Sequence, residues 1–165
     1  MSASSKNTAA SQQTGRLDLT LTRVLAVPPQ LVWKAWTTPE HLMKWFCPRP
    51  WYVSECEMEL RPGGKFYTVM NGPDGESFPN MGIFLELVEN RRIVMTDTLH
   101  PGWRPSPQPF FTGIIEMEAV DGGTRYTATA LHKDDADREK HEAMGFQDGW
   151  GTAATQLEEV AKTLG

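Results

Sequence analysis

The feature that most constrains the fold of this sequence is an amphipathic stripe close to its C-terminal end. Beyond Gly149 the apolar residues recur at steps of three and four, the spacing of one helix face; they are Trp150, Ala153 or Ala154, Leu157, Val160 or Ala161, and Leu164. The stripe predicts one long helix over residues 134–165, which Asp134 or Asp135 can cap and which Gly145 and Gly149 kink or interrupt. Such a helix needs a sheet or another helix to cover its apolar face.

The middle of the chain has the pattern of antiparallel strands joined by tight turns. Clusters rich in Gly, Pro, Asn and Asp mark turns at residues 61–64, 71–75, 89–90 and 121–123. Between the turns, alternating or continuous apolar stretches predict strands. We expect these strands at residues 51–60, 65–70, 81–88, 92–99, 110–119 and 124–132. Regular turn spacing of this kind is typical of an antiparallel meander.

A strand and two short helices precede this meander. Residues 17–22 alternate between apolar and polar side chains, as in a half-buried strand. Helical spacing runs from Gln30 to Trp36, and a second helix begins with Thr38 as its N-cap and Pro39 at its first position. The order of elements predicts an α+β fold in which a curved antiparallel sheet of about seven strands grips the long helix. A curved sheet leaves a gap beside a straight helix, and such gaps bind small molecules.

Composition is that of a single globular domain with a polar N-terminal tail. Residues 1–15 contain no large apolar side chain except Met1, so we expect a disordered tail there and one folded domain over residues 16–165. The net charge of −5 argues against nucleic-acid binding and against docking on anionic membranes. The sequence shows no membrane span, no signal peptide and no zinc-site spacing of Cys47 and Cys56. We therefore expect a cytoplasmic protein with no metal and no cofactor.

A series of short motifs along residues 16–164 is shared with a known family. The motifs are Leu21-Thr22-Arg23-Val24, Pro28, Val32-Trp33-Lys34-Ala35-Trp36-Thr37, Pro39-Glu40-His41-Leu42, Trp45, Arg61-Pro62-Gly63-Gly64, Gly82-Ile83-Phe84-Leu85-Glu86, Gly123-Thr124 and Gly149-Trp150. In this order they resemble the C-terminal domain of the activator of the ninety-kilodalton heat-shock protein's ATPase. The resemblance implies the START-related, helix-grip fold that is shared with plant pathogenesis-related allergens and polyketide cyclases. It also implies a cavity between the sheet and the long helix.

The resemblance leaves the function open, because this superfamily includes lipid carriers, cyclases, hydrolases and chaperone partners. The activator itself has a further N-terminal domain that stimulates the chaperone, whereas only the polar residues 1–15 precede the shared domain here. Our first hypothesis is a protein that binds a small hydrophobic or amphipathic molecule between the sheet and the C-terminal helix. The alternatives are a cyclase- or hydrolase-type enzyme that uses the same cavity, and a stress-related module that binds a chaperone partner through the acidic face of the long helix. Both a monomer and a homodimer fit the sequence.

Aromatic side chains dominate the candidate ligand site. The sequence has six tryptophans and seven phenylalanines, and although a tryptophan is more often a core residue, we expect some of these rings to line the cavity. The lining candidates are Trp45, Trp51, Phe66, Phe84, Trp103, His132, Met144 and Trp150. The proline-rich loop of residues 100–109 is a candidate lid.

Motifs of catalytic, nucleotide-binding or metal sites are absent from the sequence. His132 and His141 can act as bases near neutral pH, although a hydrogen-bonded structural histidine is the commoner case. Glu55, Glu57 and Glu59 alternate with Cys56, Met58 and Leu60, so the apolar set is expected to face the core and the glutamates to face solvent. An outward or edge position is also expected for Glu86 and Asp97. An enzyme would need an inward-facing polar pair, for example His132 with Glu86.

Overall fold

The computed structural model describes residues 15–165, so the tail expected over residues 1–15 lies outside the described residues except for Gly15. The described part of the chain contains nine strands and four helices. In chain order they are β1 (Asp18–Leu25), α1 (Pro29–Thr37), α2 (Pro39–Leu42), β2 (Tyr52–Met58), β3 (Lys65–Asn71), β4 (Ser77–Val88), β5 (Arg92–Thr96), β6 (Leu99–His100), β7 (Arg104–Pro105), β8 (Phe111–Val120), β9 (Gly123–His132), α3 (Asp135–Ala143) and α4 (Phe146–Lys162).

Seven of the strands form one antiparallel sheet in the order β1-β9-β8-β5-β4-β3-β2. The six strands from β2 to β9 in this sheet follow one another as a meander, and β1 pairs along the free edge of β9, with Asp18 opposite Leu131. β6 and β7 form a separate hairpin that begins at Leu99, the last residue of the strand expected over residues 92–99, and ends in the loop expected over residues 100–109. β5 itself ends earlier, at Thr96. The arrangement confirms the predicted α+β, helix-grip fold.

The C-terminal segment is two helices rather than one. Gly145 has a φ of 90°, a left-handed conformation that favours glycine, and it separates α3 from α4. Gly149, the other glycine expected to interrupt the helix, lies inside α4. Within the expected apolar stripe, Ala154, Leu157, Val160 and Ala161 are buried, while Trp150 and Leu164 are half-buried. Phe146, which precedes the stripe, is buried as well.

β4 is longer than the sequence pattern indicates, because it begins at Ser77 rather than at residue 81. Residues 77–82 pair only with β3, since the register of β4 with β5 begins at Ile83. This part of β4 is thus an edge strand, where Pro79 leaves no ladder hydrogen bond unmade. The sequence pattern does not indicate this extension, because Pro79 lies close to the turn residues and is itself typical of a turn.

The two faces of the sheet differ because side chains alternate along each strand. On β9, Tyr126, Ala128, Ala130 and His132 are buried on one face, which we call the inner face. The helix α4 covers this face, and its Gln147 donates a hydrogen bond from Nε2 to the carbonyl oxygen of Thr20 in β1 at 3.1 Å. The opposite, outer face carries mainly threonines and charged residues on β1, β8 and β9.

The glutamates that were expected to face solvent lie on the outer face, whereas Asp97, which was also expected at an outward or edge position, is half-buried. Glu86 is exposed and accepts a hydrogen bond from Nε of Arg92 at 2.7 Å. The glutamates of β2 are also exposed, while Cys56 and Met58 between them pack against the core. The pairing of His132 with Glu86, considered above for an enzyme, is therefore wrong, because the two residues lie on opposite faces of the sheet.

Candidate functional site

At one end of the sheet the inner face is partly exposed, in a region that we call the open end, formed by Trp51, Met70 and Phe78. Phe78 lies in the edge part of β4, directly opposite Met70 of β3. It shares the inner face with the buried Phe84, because Phe84 follows it by six positions, an even number, along the same strand. Phe78 is nevertheless 54% exposed. The inner face thus continues beyond the part of the sheet that the helices cover.

Trp51 and Phe78 stack on each other at the open end. Their ring centroids are 5.9 Å apart, and their planes meet at 18°. Gly72 makes room for the indole, since a Cβ atom at that position would lie 2.8 Å from Trp51. Trp51 and Met70 are half-buried. The stack therefore presents aromatic surface to solvent beside a partly apolar strand face.

Deeper between the sheet and the helices, the space is filled by a second group of aromatic side chains. The ring centroids of Trp36 and Trp45 are 5.0 Å apart, and Phe66 stacks on Phe84 at 4.9 Å. Nε1 of Trp36 donates a hydrogen bond to the hydroxyl oxygen of Tyr126 at 3.0 Å. All five side chains are buried. Trp45, Phe66 and Phe84 from the predicted lining are thus members of the packed core.

His132 and His141 form a hydrogen-bonded pair on the inner face. Nδ1 of His132, at the end of β9, lies 2.8 Å from the carbonyl oxygen of Leu17. Nε2 of the same ring lies 2.8 Å from Nδ1 of His141, in the last turn of α3. The two side chains are only 7% and 5% exposed. A buried pair of imidazoles is thus fixed to the backbone at one end.

The Leu17 carbonyl determines where the protons of this pair lie. A carbonyl oxygen only accepts hydrogen bonds, so Nδ1 of His132 carries its proton and its Nε2 is the acceptor. Nδ1–H of His141 then donates to that atom, and the proton-free nitrogen of His141 is Nε2. Burial, and after it the neighbouring His132, lowers the pKa of His141 to about 4. His141 is therefore neutral at physiological pH, as this assignment requires.

Four aromatic rings surround His141. Their centroids lie 5.0 Å (Phe110), 5.0 Å (Phe111), 5.3 Å (Phe146) and 5.7 Å (Trp150) from that of His141. β8 and the residue before it supply the first two rings, and α4 supplies the other two. The two imidazoles and these four rings together are called the histidine–aromatic cluster below.

Asp97 lies beside this cluster, just after the end of β5. Its Oδ1 accepts hydrogen bonds from the backbone N–H groups of Phe110 at 2.8 Å and Phe111 at 3.1 Å. Burial raises the pKa of Asp97, and these two hydrogen bonds oppose that effect. The carboxyl group is half-buried and holds the start of β8, from which the two phenylalanines reach His141.

The structure divides the remaining predicted lining residues among different places. Trp51 belongs to the open end, and His132 and Trp150 belong to the histidine–aromatic cluster. Trp103, in the β6–β7 hairpin, is 59% exposed, and Met144, at the end of α3, is 67% exposed. Because both side chains are mostly exposed to solvent, neither is packed against the inner face of the sheet.

Six residues of the two regions were not among the predicted lining: Met70, Phe78, Phe110, Phe111, His141 and Phe146. Phe111 could have been found from the sequence, because it shares the strand face of the apolar residues Ile115 and Met117. His141 stands in a strongly polar helix, and its contact with His132 depends on how α3 folds back over β9. That contact has no signal in the sequence.

Two concave regions lie away from the histidine–aromatic cluster. A groove of about 1240 Å³ runs over the outer face, among residues such as Thr20, Thr129 and Arg92. A crevice of about 550 Å³ lies beside the loop after α2 and is lined by Met43, Lys44, Cys47, Arg49, Pro50, Trp51, Tyr52 and Val160. Trp51 thus borders both this crevice and the open end.

Two kinds of site are missing from residues 15–165, a cluster of metal ligands and a membrane-spanning helix. Over this range, His, Cys, Asp and Glu side chains do not gather in groups of three that could hold a metal ion. None of the helices described in the same range is long and apolar enough to cross a membrane.

The fold is similar to that of several solved bacterial proteins. A protein from Nitrosomonas europaea has 50% sequence identity and a TM-score of 0.88, over 92% of this chain and 97% of that one. A protein from Mycobacterium smegmatis has 26% identity and a TM-score of 0.74, over 87% and 90% of the two chains. The AHSA1-like protein from Aeromonas hydrophila, at 16% identity and a TM-score of 0.68 over 89% and 93%, shares the fold.

The sequence itself matches a family model over most of its length. No curated protein matches this sequence. The model described as Activator of Hsp90 ATPase homolog 1-like protein matches residues 26–162, which confirms the resemblance drawn from the sequence motifs. The chain belongs to this family of Activator of Hsp90 ATPase homolog 1-like proteins.

Proposed function

We propose that the protein binds a small hydrophobic or amphipathic molecule against the inner face of the sheet, beside α4. The observation that carries this proposal is the half-exposed stack of Trp51 and Phe78 at the open end. The helix-grip fold is compatible with ligand binding at this place.

The energetics of the stack favour a ligand. Burying apolar surface contributes about 25 cal/mol per Å², and a well-oriented aromatic pair adds about 0.5–1.5 kcal/mol. Phe78 leaves more than half of its surface in water. An apolar or aromatic ligand that extends the stack would bury this surface without requiring the packed core to open.

Charged groups near Trp51 suit the polar end of an amphipathic ligand. Lys44 and Arg49 line the crevice that Trp51 also borders. Arg49 also forms an ion pair with Glu159 at 3.5 Å, on the exposed surface of α4. A ligand seated on Trp51 therefore has cationic side chains nearby that can interact with an acidic group.

The probe 8-anilinonaphthalene-1-sulfonate tests the proposal, because it combines aromatic rings with an anionic group. Its fluorescence would be titrated with the unaltered protein, with Phe78→Ser and with Tyr52→Ser. Phe78 and Tyr52 are matched, since both are exposed aromatic residues, at 54% and 55%. Tyr52 lines the crevice and lies outside the open end.

We expect the unaltered protein to bind the probe, Phe78→Ser to weaken binding at least fivefold, and Tyr52→Ser to change it little. The circular dichroism of each variant must remain that of a folded protein. An absence of binding, or equal binding by the unaltered protein and Phe78→Ser, overturns the proposal. Loss of binding only in Tyr52→Ser does the same, because it places the probe in the crevice.

A further inference from the structure

The crevice beside the loop after α2 has a charge opposite in sign to that of the whole chain. Two of the residues that line it, Lys44 and Arg49, are cationic, and none of the eight described residues that line it is acidic. Burial raises the pKa of the Cys47 thiol in its wall to about 11, so this side chain adds no negative charge near neutral pH. The whole chain, by contrast, has a net charge of −5. The crevice is therefore a cationic recess in an acidic protein.

Both cations are available to a ligand. Lys44 is exposed, and among the described residues it forms no ion pair. Arg49 pairs with Glu159 at 3.5 Å, but the two side chains are 61% and 59% exposed, and ion pairs this exposed contribute little to stability. A guanidinium group also has five N–H donors. A carboxylate in the crevice can therefore share Arg49 with Glu159 and take Lys44 as its second partner.

The wall of the crevice is held in place from inside the protein. The buried side-chain amide of Gln156 accepts a hydrogen bond from the backbone N–H of Arg49 and donates one to the carbonyl oxygen of Cys47. Val160, one turn further along α4, lines the crevice itself. A wall that is fixed before binding lowers the entropy cost of binding a ligand.

Trp51 connects this crevice to the open end. Its ring stacks on Phe78 with the centroids 5.9 Å apart, and the same residue lines the crevice. A molecule whose apolar body lies on the stack therefore reaches the crevice with a polar group attached to that body. An anionic group is attracted there by Lys44 and Arg49, whereas a neutral group of the same shape is not.

We infer that the bound molecule is an organic acid with an apolar or aromatic body, and that its carboxylate lies in the crevice with Lys44 and Arg49. The inference rests on the proposed function and names the ligand class for the same site. The body of the molecule packs on the stack of Trp51 and Phe78. The two cations select the acid, because hydrogen bonds between charged groups are stronger than those between neutral groups.

The test compares two probes of similar shape that differ in charge, naphthalene-2-carboxylate and naphthalene-2-carboxamide. Their dissociation constants would be measured by equilibrium dialysis at neutral pH and low salt. The proteins are the unaltered chain, Lys44→Gln, and Lys44→Gln combined with Arg49→Gln. Lys34→Gln is the matched control, because Lys34 is equally charged and also exposed but does not line the crevice.

We expect the unaltered protein to bind the acid about fivefold more tightly than the amide, a modest preference because both cations are exposed. The preference should fall to about twofold in Lys44→Gln and disappear in the double variant. In Lys34→Gln it should remain about fivefold. Phe78→Ser should weaken the binding of both probes, because both place their rings on the stack.

Every other outcome overturns a defined statement. Equal binding of the two probes to the unaltered protein overturns the inference and leaves the proposed function standing. A preference that persists in the double variant, or that falls as far in Lys34→Gln as in Lys44→Gln, overturns the inference as well. So does an acid that binds Phe78→Ser as tightly as the unaltered protein, because it then lies away from the stack. Binding of neither probe overturns the proposed function and the inference together.

Discussion

Gln156 of α4 holds the backbone of Cys47 through a hydrogen bond of 2.7 Å from its side-chain Nε2 to the Cys47 carbonyl oxygen. The same nitrogen donates to the carbonyl oxygen of Trp45 at 3.0 Å, and Oε1 accepts from the backbone N–H of Arg49 at 3.0 Å. The Gln156 side chain is 4% exposed. One buried amide thus ties the long helix to the loop that leads to Trp51.

Replacing Gln156 should therefore be costly for stability. Gln156→Met leaves three backbone groups without partners, and each buried unpaired group costs about 1–3 kcal/mol. We expect the free energy of unfolding in urea to fall by about 3 kcal/mol or more. Gln147→Met is the matched control, because the exposed Gln147 makes a single hydrogen bond and should cost less than about 1 kcal/mol. Similar losses in both variants would contradict this account of the loop.

The buried histidine pair predicts a dependence of stability on pH. The pKa of His141 is about 4 in the folded protein, against an ordinary value of 6.5. At pH values above 6.5 His141 is unprotonated in both the folded and the unfolded state, so it contributes nothing to the pH dependence of the stability. Between pH 6.5 and 4 the unfolded chain binds a proton that the folded state excludes. Stability then falls with a slope that approaches about 1.4 kcal/mol per pH unit.

The measurement is urea unfolding at intervals from pH 4 to 8, for the unaltered protein and for His141→Phe. Carboxylates, including Asp97, also titrate at the lower end of this range, so the informative quantity is the difference between the two proteins. As the pH falls from 6.5 to 4, the free energy of unfolding of the unaltered protein should fall relative to that of His141→Phe, so that any advantage of the unaltered protein becomes smaller or is reversed. A difference that does not change with pH would show that folding leaves the pKa of His141 unaltered, against the burial argument.

Two glycines in the C-terminal segment should respond oppositely to alanine. Gly145 has a φ of 90°, where an L residue is strained, so Gly145→Ala should lower the free energy of unfolding by about 1–2 kcal/mol. Gly149 lies inside α4, and a Cβ there would meet only Pro48, at 4.0 Å. Gly149→Ala should raise stability by up to about 1 kcal/mol through helix propensity. Thermal unfolding of the two variants measures both effects, and shifts of the same sign would contradict this account.

The same two glycines show what sequence patterns can and cannot predict. The apolar stripe beyond Gly149 identified the segment, because such a stripe must face the sheet whatever the exact path of the chain. Which of the two glycines ends a helix depends on a backbone dihedral that tertiary packing selects. The sheet was predictable for the same reason as the stripe, since alternation and turn residues are local signals.

The candidate site was less predictable because its contacts are not local. His132 and His141 meet only because α3 folds back over β9, and their protons are placed by Leu17, which is more than a hundred positions away in the chain. The exposure of Phe78 depends on where β5 ends relative to β4. Aromatic composition alone could not separate packed core rings such as Trp45 from half-exposed rings such as Trp51.

The cysteines should be unreactive in the folded protein. Burial raises the pKa of Cys47 and of Cys56 to about 11, so both thiols are protonated at pH 8. The thiolate is the reactive form, and we therefore expect slow reaction with 5,5′-dithiobis(2-nitrobenzoic acid) in buffer and rapid reaction of both thiols in guanidinium chloride. Val24→Cys places a thiol at a position that is 61% exposed and serves as the positive control. Native thiols that react as fast as this control would show that Cys47 and Cys56 are accessible.

Trp150 should contribute far more to stability than Trp103, although both were candidates for the ligand site. The Trp150 ring contacts Phe146 at 4.5 Å and Phe111 at 5.8 Å between centroids, so it joins α4 to β8. Trp150→Ala should lower the free energy of unfolding by about 2–4 kcal/mol, near the range for large aromatic side chains in cores. Trp103 is 59% exposed, and Trp103→Ala should cost less than about 1 kcal/mol. Urea unfolding measures both values; unchanged stability in Trp150→Ala would mean that the helix is held on the sheet without this ring.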